Sequence, residues 1–314
     1  MQIRRRTLIA KQGNRGAEWS VWHLIVAAIL VGAAVFAGWE VWRDIWNYGL
    51  HDEEASQILL VPIVVIWIVW VRREQLVTCQ PTGRLVGMLM VGIGWMLHTT
   101  GNRYQVQSAW HGGAVIMAVG ALLTAIGSDV FWKMLPAFGA LVFLIPVPAT
   151  GRHLIAFPLQ GITAHATQVC GEIMGMSVER SGNLLSINGN NVAIAEACNG
   201  MRMIFTLLLV CYTFAFTTTM PGYVRALVLI GSPVVAVVCN VVRLVPTVYM
   251  FGHYQKDTAE AFHNAAGWVM LLVGYGLLMG VVRMIRWISD APAQAEVSRQ
   301  VVTVGSVAQS AKVK

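Results

Sequence analysis

IAEACNGMRMIFTLLLVCYTFAF, residues 194–216, decides the fold. From Met203 onward it is almost unbroken apolar sequence, and its length meets the roughly 20 residues that a helix needs to cross a bilayer at 1.5 Å per residue. Yet its leading edge carries Glu196, Cys198, Asn199 and Arg202. Ionisable groups beside a hydrocarbon core are costly and mark functional positions by default.

The rest of the chain fits a membrane setting. Its 314 residues are 56% hydrophobic and only 12% charged, with a mean hydropathy of +0.62. Those values exclude an ordinary soluble domain and a disordered chain. A net charge of +7 raises the question of nucleic acid. The basic residues cluster beside apolar runs instead of forming an exposed face interleaved with aromatics, so a nucleic-acid partner is excluded. Twelve Trp suit interfacial belts. The five Cys show no CxxC spacing, which argues against a zinc module or a disulfide framework. The first apolar run is too long for a cleaved signal peptide and ends without a small-residue cleavage site.

Apolar runs predict helices near 20–39, 57–71, 85–98, 110–127, 130–147, 194–216, 223–250 and 264–286. The expected fold class is therefore an all-α polytopic membrane protein with about eight transmembrane helices. Residues 1–288 read as one integral membrane domain, and 289–314 as a polar, disordered, cytoplasmic tail. Arg4, Arg5, Arg6, Lys11 and Arg15 put the N-terminus in the cytoplasm by the positive-inside rule. Alternation then keeps Arg72, Arg73, Arg84, Arg225, Arg283 and Arg286 inside. The acidic stretches HDEE (51–54) and KDTAE (256–260) fall outside. Residues 148–193 also fall outside. Pro-rich IPVPATGRH leads into a moderately amphipathic helix, and the alternating stretch around Asn188-Gly189 is a hairpin signal. The expectation is an interfacial helix plus a small hairpin on the extracytoplasmic side, forming a lid or groove.

This topology brings Cys198, Arg243 and His263 to one leaflet at similar depth. A thiolate is the attacking form of Cys, and a neighbouring cation or imidazole favours it. A histidine can take a proton and return it to a leaving amine. A guanidinium can stabilise a developing oxyanion. Arg202 lies four residues past Cys198 and shares its face if the helix is continuous, which suits a second cation or a carboxylate clamp. Glu196 can orient Arg202 or Arg243. Cys79, Cys170, Cys211 and Cys239 read as small buried hydrophobes, although Cys239, one turn before Arg243, could line the same pocket.

Three blocks in order, EACNGMR (196–202), NVVRLVP (240–246) and FHNAAGW (262–268), resemble the exosortase/archaeosortase family of membrane transpeptidases. Asn199 and Met201 replace the family's usual Ser and Ile. QILLVP (57–62) followed by WVRR, LIPVP (144–148) and the PLQGITAHATQ to SGNLL stretch resemble family blocks too. The resemblance implies cleavage of a C-terminal sorting tail on a secreted protein, composed of a Pro-Glu-Pro-type signature, a transmembrane helix and a basic end. It implies Cys198 as nucleophile forming a thioester, Arg243 as its oxyanion or thiolate partner, and His263 as acid/base. Arg202, Glu196, Asn199, Asn240 and Asn264 are supporting residues in the same blocks. It implies no metal or organic cofactor, and it implies partners among secreted proteins, membrane lipids and an envelope acceptor that is a lipid or exopolysaccharide-related. The implied location is the bacterial inner membrane, with both termini cytoplasmic and the site facing the periplasm.

Other readings compete. An intramembrane cysteine protease would hydrolyse the thioester with water and share the acylation step. A haem-binding electron carrier would use pairs among His23, His98, His111 and His165. A transporter would show internal repeats, and none is visible.

Overall fold

The computed structural model describes residues 20–79, 82–182, 184–187, 190–193 and 200–311. Helix α1 (Val21–Ala37) starts at a capping box, in which the Ser20 side chain takes the first-turn N–H groups and His23 reaches back to the Ser20 N–H. It ends at Gly38, where the chain bends by 77° into α2 (Trp39–His51). A 3-10 segment (Glu53–Leu60) feeds α3 (Val61–Val71), followed by the short α4 (Arg73–Val77). Next come α5 (Arg84–Arg103) and α6 (Gln107–Ile126), then the short α7 (Asp129–Lys133) and α8 (Leu135–Ala140). Helix α9 (Ala149–Ile173) precedes a small sheet, and α10 (Met201–Thr217), α11 (Gly222–His253) and α12 (Lys256–Ala311) complete the chain.

This is a helical membrane protein. Among the described residues α6, α11 and Lys256–Met284 of α12 are long and apolar enough to cross a bilayer, and the bent α1–α2 pair makes a fourth candidate. Eight runs were expected. The 85–98 run is the unbroken 20-residue α5, which ends in the polar HTTGNR, and the remaining runs are shorter or broken. The 57–71 run begins as a 3-10 segment, and the 130–147 run is divided between α7, α8 and a 3-10 turn, with Pro136 at the start of α8. Proline lacks the N–H that would carry a helix through. Helix α12 keeps helical backbone past Ser289, where the composition predicts an irregular tail.

Helices α5 and α6 pack backbone to backbone. A Cβ on Gly87 would lie 2.3 Å from the Thr124 N, one on Gly94 2.6 Å from the Met117 N, and one on Gly101 2.3 Å from the Trp110 N. Gly113 and Gly120 answer from α6, against the His98 and Val91 backbone. Small residues every seventh position let two helices close without the hydrophobic drive that lipid removes. Nearby, the rings of Trp95, His98, Trp110 and His111 follow one another at centroid distances of 6.1, 6.4 and 5.6 Å.

One end of the bundle is basic. Arg72 donates to the Phe216 carbonyl at 3.1 and 3.2 Å, and Arg225 donates to the Ala215 carbonyl at 2.9 Å. Both therefore satisfy the last carbonyls of α10, where a cation is favoured. Burial and the neighbouring Arg225 draw the Arg72 pKa below its usual value. Lys133 reaches the Thr78 carbonyl and Asp129, and Arg84 meets His23, at this same end.

The opposite end carries α9 and an antiparallel sheet of three strands, β1 (Glu179–Ser181), β2 (Leu184–Ile187) and β3 (Asn190–Ala193). The sequence predicts two strands around Asn188-Gly189, and β2 and β3 are that pair. Strand β1 adds an edge to the expected hairpin. Leu185, fully buried, packs with Val178, Ala164, Leu244 and Val248, so the sheet rests on the C-terminal part of α11.

Candidate functional site

Two features of α11 place Arg243. Its position one turn after Asn240 lets Arg243 Nη2 donate to Asn240 Oδ1 at 2.9 Å, with both side chains buried. Pro246 interrupts the helical ladder nearby, and Thr247 donates its hydroxyl to the Arg243 carbonyl at 2.8 Å. The guanidinium is thus held inside the bundle at 7% exposure. A charge that deep needs hydrogen-bonded company.

Helix α12 comes up to it at a glycine. A Cβ on Gly267 would stand 3.2 Å from Arg243 Nη1. Gly267 lies one helical turn beyond His263 on the same face, and His263 is itself buried at 8% exposure. Helix α10 arrives from the other side. Gly200, with φ of +69°, starts it, and a Cβ there would meet Asn240 Nδ2 at 2.9 Å. Asn240 is therefore the meeting point. It touches Gly200 of the Cys block and holds Arg243, which touches the His helix.

Cys198, Glu196 and Asn199 lie outside the described residues, and so does the side chain of Asn264, which follows His263 on α12. What the structure places is the helix start immediately after them. Gly200 takes a left-handed conformation and α10 begins at Met201. Arg202 stands half-buried in the first turn of α10. Cys239 does not join Arg243. Its sulfur is 3.4 Å from where a Gly274 Cβ would sit, within the apolar cluster of Met203, Leu207, Val228 and Leu278. Cys211 belongs to that cluster also.

Of the histidines of the haem reading, His98 and His111 lie near each other on the packed α5–α6 pair, either side of the Trp110 ring, while His23 lies elsewhere. His23 meets Arg84 at the basic end, whereas His111 meets Asp44 at 2.7 Å near the other end. No group of three or more His, Cys, Asp or Glu that could hold a metal occurs among the described residues.

Residues 42–280 match the family model for transmembrane exosortases (Exosortase_EpsH). The chain belongs to the transmembrane exosortase family. No curated protein and no solved structure matches it. Membership gives the chain a transpeptidase-like processing role at the membrane, on secreted protein substrates, with peptidase activity in the general sense. The matched region contains the small sheet, Asn240, Arg243 and His263.

Proposed function

We propose that this protein is a cysteine transpeptidase that cleaves a C-terminal sorting tail from secreted proteins and passes the shortened chain to an envelope acceptor. In this mechanism the Cys198 thiol gives its proton to His263, and the thiolate attacks the carbonyl carbon of the scissile peptide bond. Arg243 holds the oxyanion of the tetrahedral intermediate, a role worth roughly 3–4 kcal/mol where it has been measured elsewhere. His263 returns the proton to the leaving amine as the C–N bond breaks, which leaves a thioester on Cys198. An acceptor nucleophile, from a lipid or an exopolysaccharide-related molecule, then attacks the thioester and regenerates the thiolate. The chemistry uses side chains alone, with no cofactor.

One observation carries this reading. The buried Arg243, held by Asn240, sits where the start of α10 and the His263 helix both close on α11. Arg202 and Glu196 serve as supporting charges, and Asn199 and Asn264 as polar neighbours. In this reading the small sheet, which rests on α11 through Leu244, covers a bound tail in extended form.

The proposed setting is a bacterial inner membrane crossed about eight times, the shorter helices completing the count, with both termini in the cytoplasm. The basic end formed by Arg72, Arg84, Lys133 and Arg225 supports a cytoplasmic face there, which puts the site on the periplasmic side. Residues 1–288 act as one domain with the remainder as an appendage. The test is tail processing by Cys198→Ala, Cys198→Ser, Arg243→Ala and His263→Ala. Each variant leaves the substrate full length. Normal processing by any of them removes that residue from the mechanism.

A further inference from the structure

A cavity of about 270 Å³ opens beside the start of α10. Its walls are mostly apolar, with Ile58, Phe143 and Phe205 among them, and Met201 closes one side. Met201 is three residues along the chain from Cys198. Besides the Tyr48 hydroxyl, two polar side chains break the apolar lining.

The first is Gln57. Its side chain is 8% exposed, and its carbonyl oxygen is buried with no hydrogen-bond partner among the described residues. A buried amide is costly to leave unmade, and native structures rarely tolerate one unless something else satisfies it. The second is Arg152, the one charged residue among the described residues lining the cavity. It stands in the first turn of α9, whose N-terminus no side chain caps and whose first turn holds no acid. That helix end favours an anion in its own right. Arg152 Nη1 lies 3.3 Å from the Tyr48 hydroxyl and 3.7 Å from Asp52. Both distances exceed the roughly 2.7–2.9 Å of a tight charge-assisted bond.

We propose that this cavity is the subsite for the substrate's recognition segment. A main-chain N–H of the extended peptide pairs with Gln57, and an acidic side chain pairs with Arg152 while apolar neighbours fill the walls. A main-chain contact is blind to sequence, so selectivity falls to the Arg152 pair. The proposal rests on the sorting-tail reading and adds to it the residues that select the tail.

The experiment measures binding, which separates recognition from chemistry. The full chain carrying Cys198→Ala, in lipid nanodiscs, is titrated with a fluorescent tail peptide made of a Pro-Glu-Pro signature and its transmembrane helix. Adding Gln57→Leu or Arg152→Gln weakens binding tenfold or more. Replacing the signature Glu by Gln costs the parent the same factor and costs Arg152→Gln nothing further. A tail with Lys in place of that Glu binds Arg152→Glu at least tenfold better than the original tail does, which also shows that this variant folds. If the parent binds the tail and both single variants bind it equally well, the subsite is wrong and the sorting-tail reading stands. If the parent binds no tail at all, both fail together.

Discussion

Arg243 donates to Asn240 Oδ1 at 2.9 Å inside the bundle, and Asn240 is also the side chain against which Gly200 packs. One amide therefore aligns the guanidinium and spaces the helix that follows Cys198. Hydrogen bonds to charged groups contribute about 1.5–3 kcal/mol. Asn240→Ala is expected to slow tail processing by about 10- to 100-fold, and Asn240→Asp, which keeps the acceptor, to lose less. Initial processing rates in proteoliposomes, normalised to folded enzyme, check both.

Gly200 and Gly267 are contacts of the site made by an absence of side chain. At Gly200 the backbone is left-handed and a Cβ would press on Asn240 at 2.9 Å. Gly200→Ala is expected to abolish processing while the chain still inserts and elutes as one species. Gly267→Val would push on Arg243 and give the same phenotype. Retained activity in Gly200→Ala means the α10 start does not set the site.

The thiols should differ in reactivity. Burial holds the Cys79 thiol above its usual pKa, so it stays protonated near neutrality and loses that protection only as pH rises beyond the normal thiol range. Maleimide labelling at pH 7 is expected to modify Cys198 and to spare Cys79, with Cys79 labelling increasing at higher pH. Cys79→Ala and Cys211→Ala should process tails normally. Peptide mapping by mass spectrometry reads the sites.

Stability of the α5–α6 pair rests on its glycines. Gly94→Leu would drive a side chain into the Met117 backbone, 2.6 Å from the would-be Cβ. Overpacking of this kind costs about 1–3 kcal/mol or more. Thermal unfolding in detergent should move down for Gly94→Leu and stay near the parent for Gly92→Leu, where a Cβ meets nothing within 4 Å.

The membrane class was legible because it is written in single residue types. Apolar runs gave the helices; Arg243 is a rare charge within such a run, His263 stands at the start of another, and the structure buries both. Span number was less legible. Hydropathy counts apolar residues, but Pro136 and the 3-10 segments decide where a run stops being helix. The seven-residue glycine spacing on α5 and α6 was visible in the sequence and points directly to their close packing. Gln57 and Arg152 had no such signal. Each is an ordinary polar residue until the fold sets it beside the same cavity.

Trapping the acyl-enzyme addresses the nucleophile itself. Purified protein is mixed with a labelled tail substrate, quenched in acid and digested, and adducts are located by mass spectrometry before and after neutral hydroxylamine, which cleaves thioesters. The expected result is a hydroxylamine-labile substrate fragment on Cys198, absent in Cys198→Ala and unprocessed there. Tail cleavage at the parent rate by Cys198→Ala would contradict the mechanism outright.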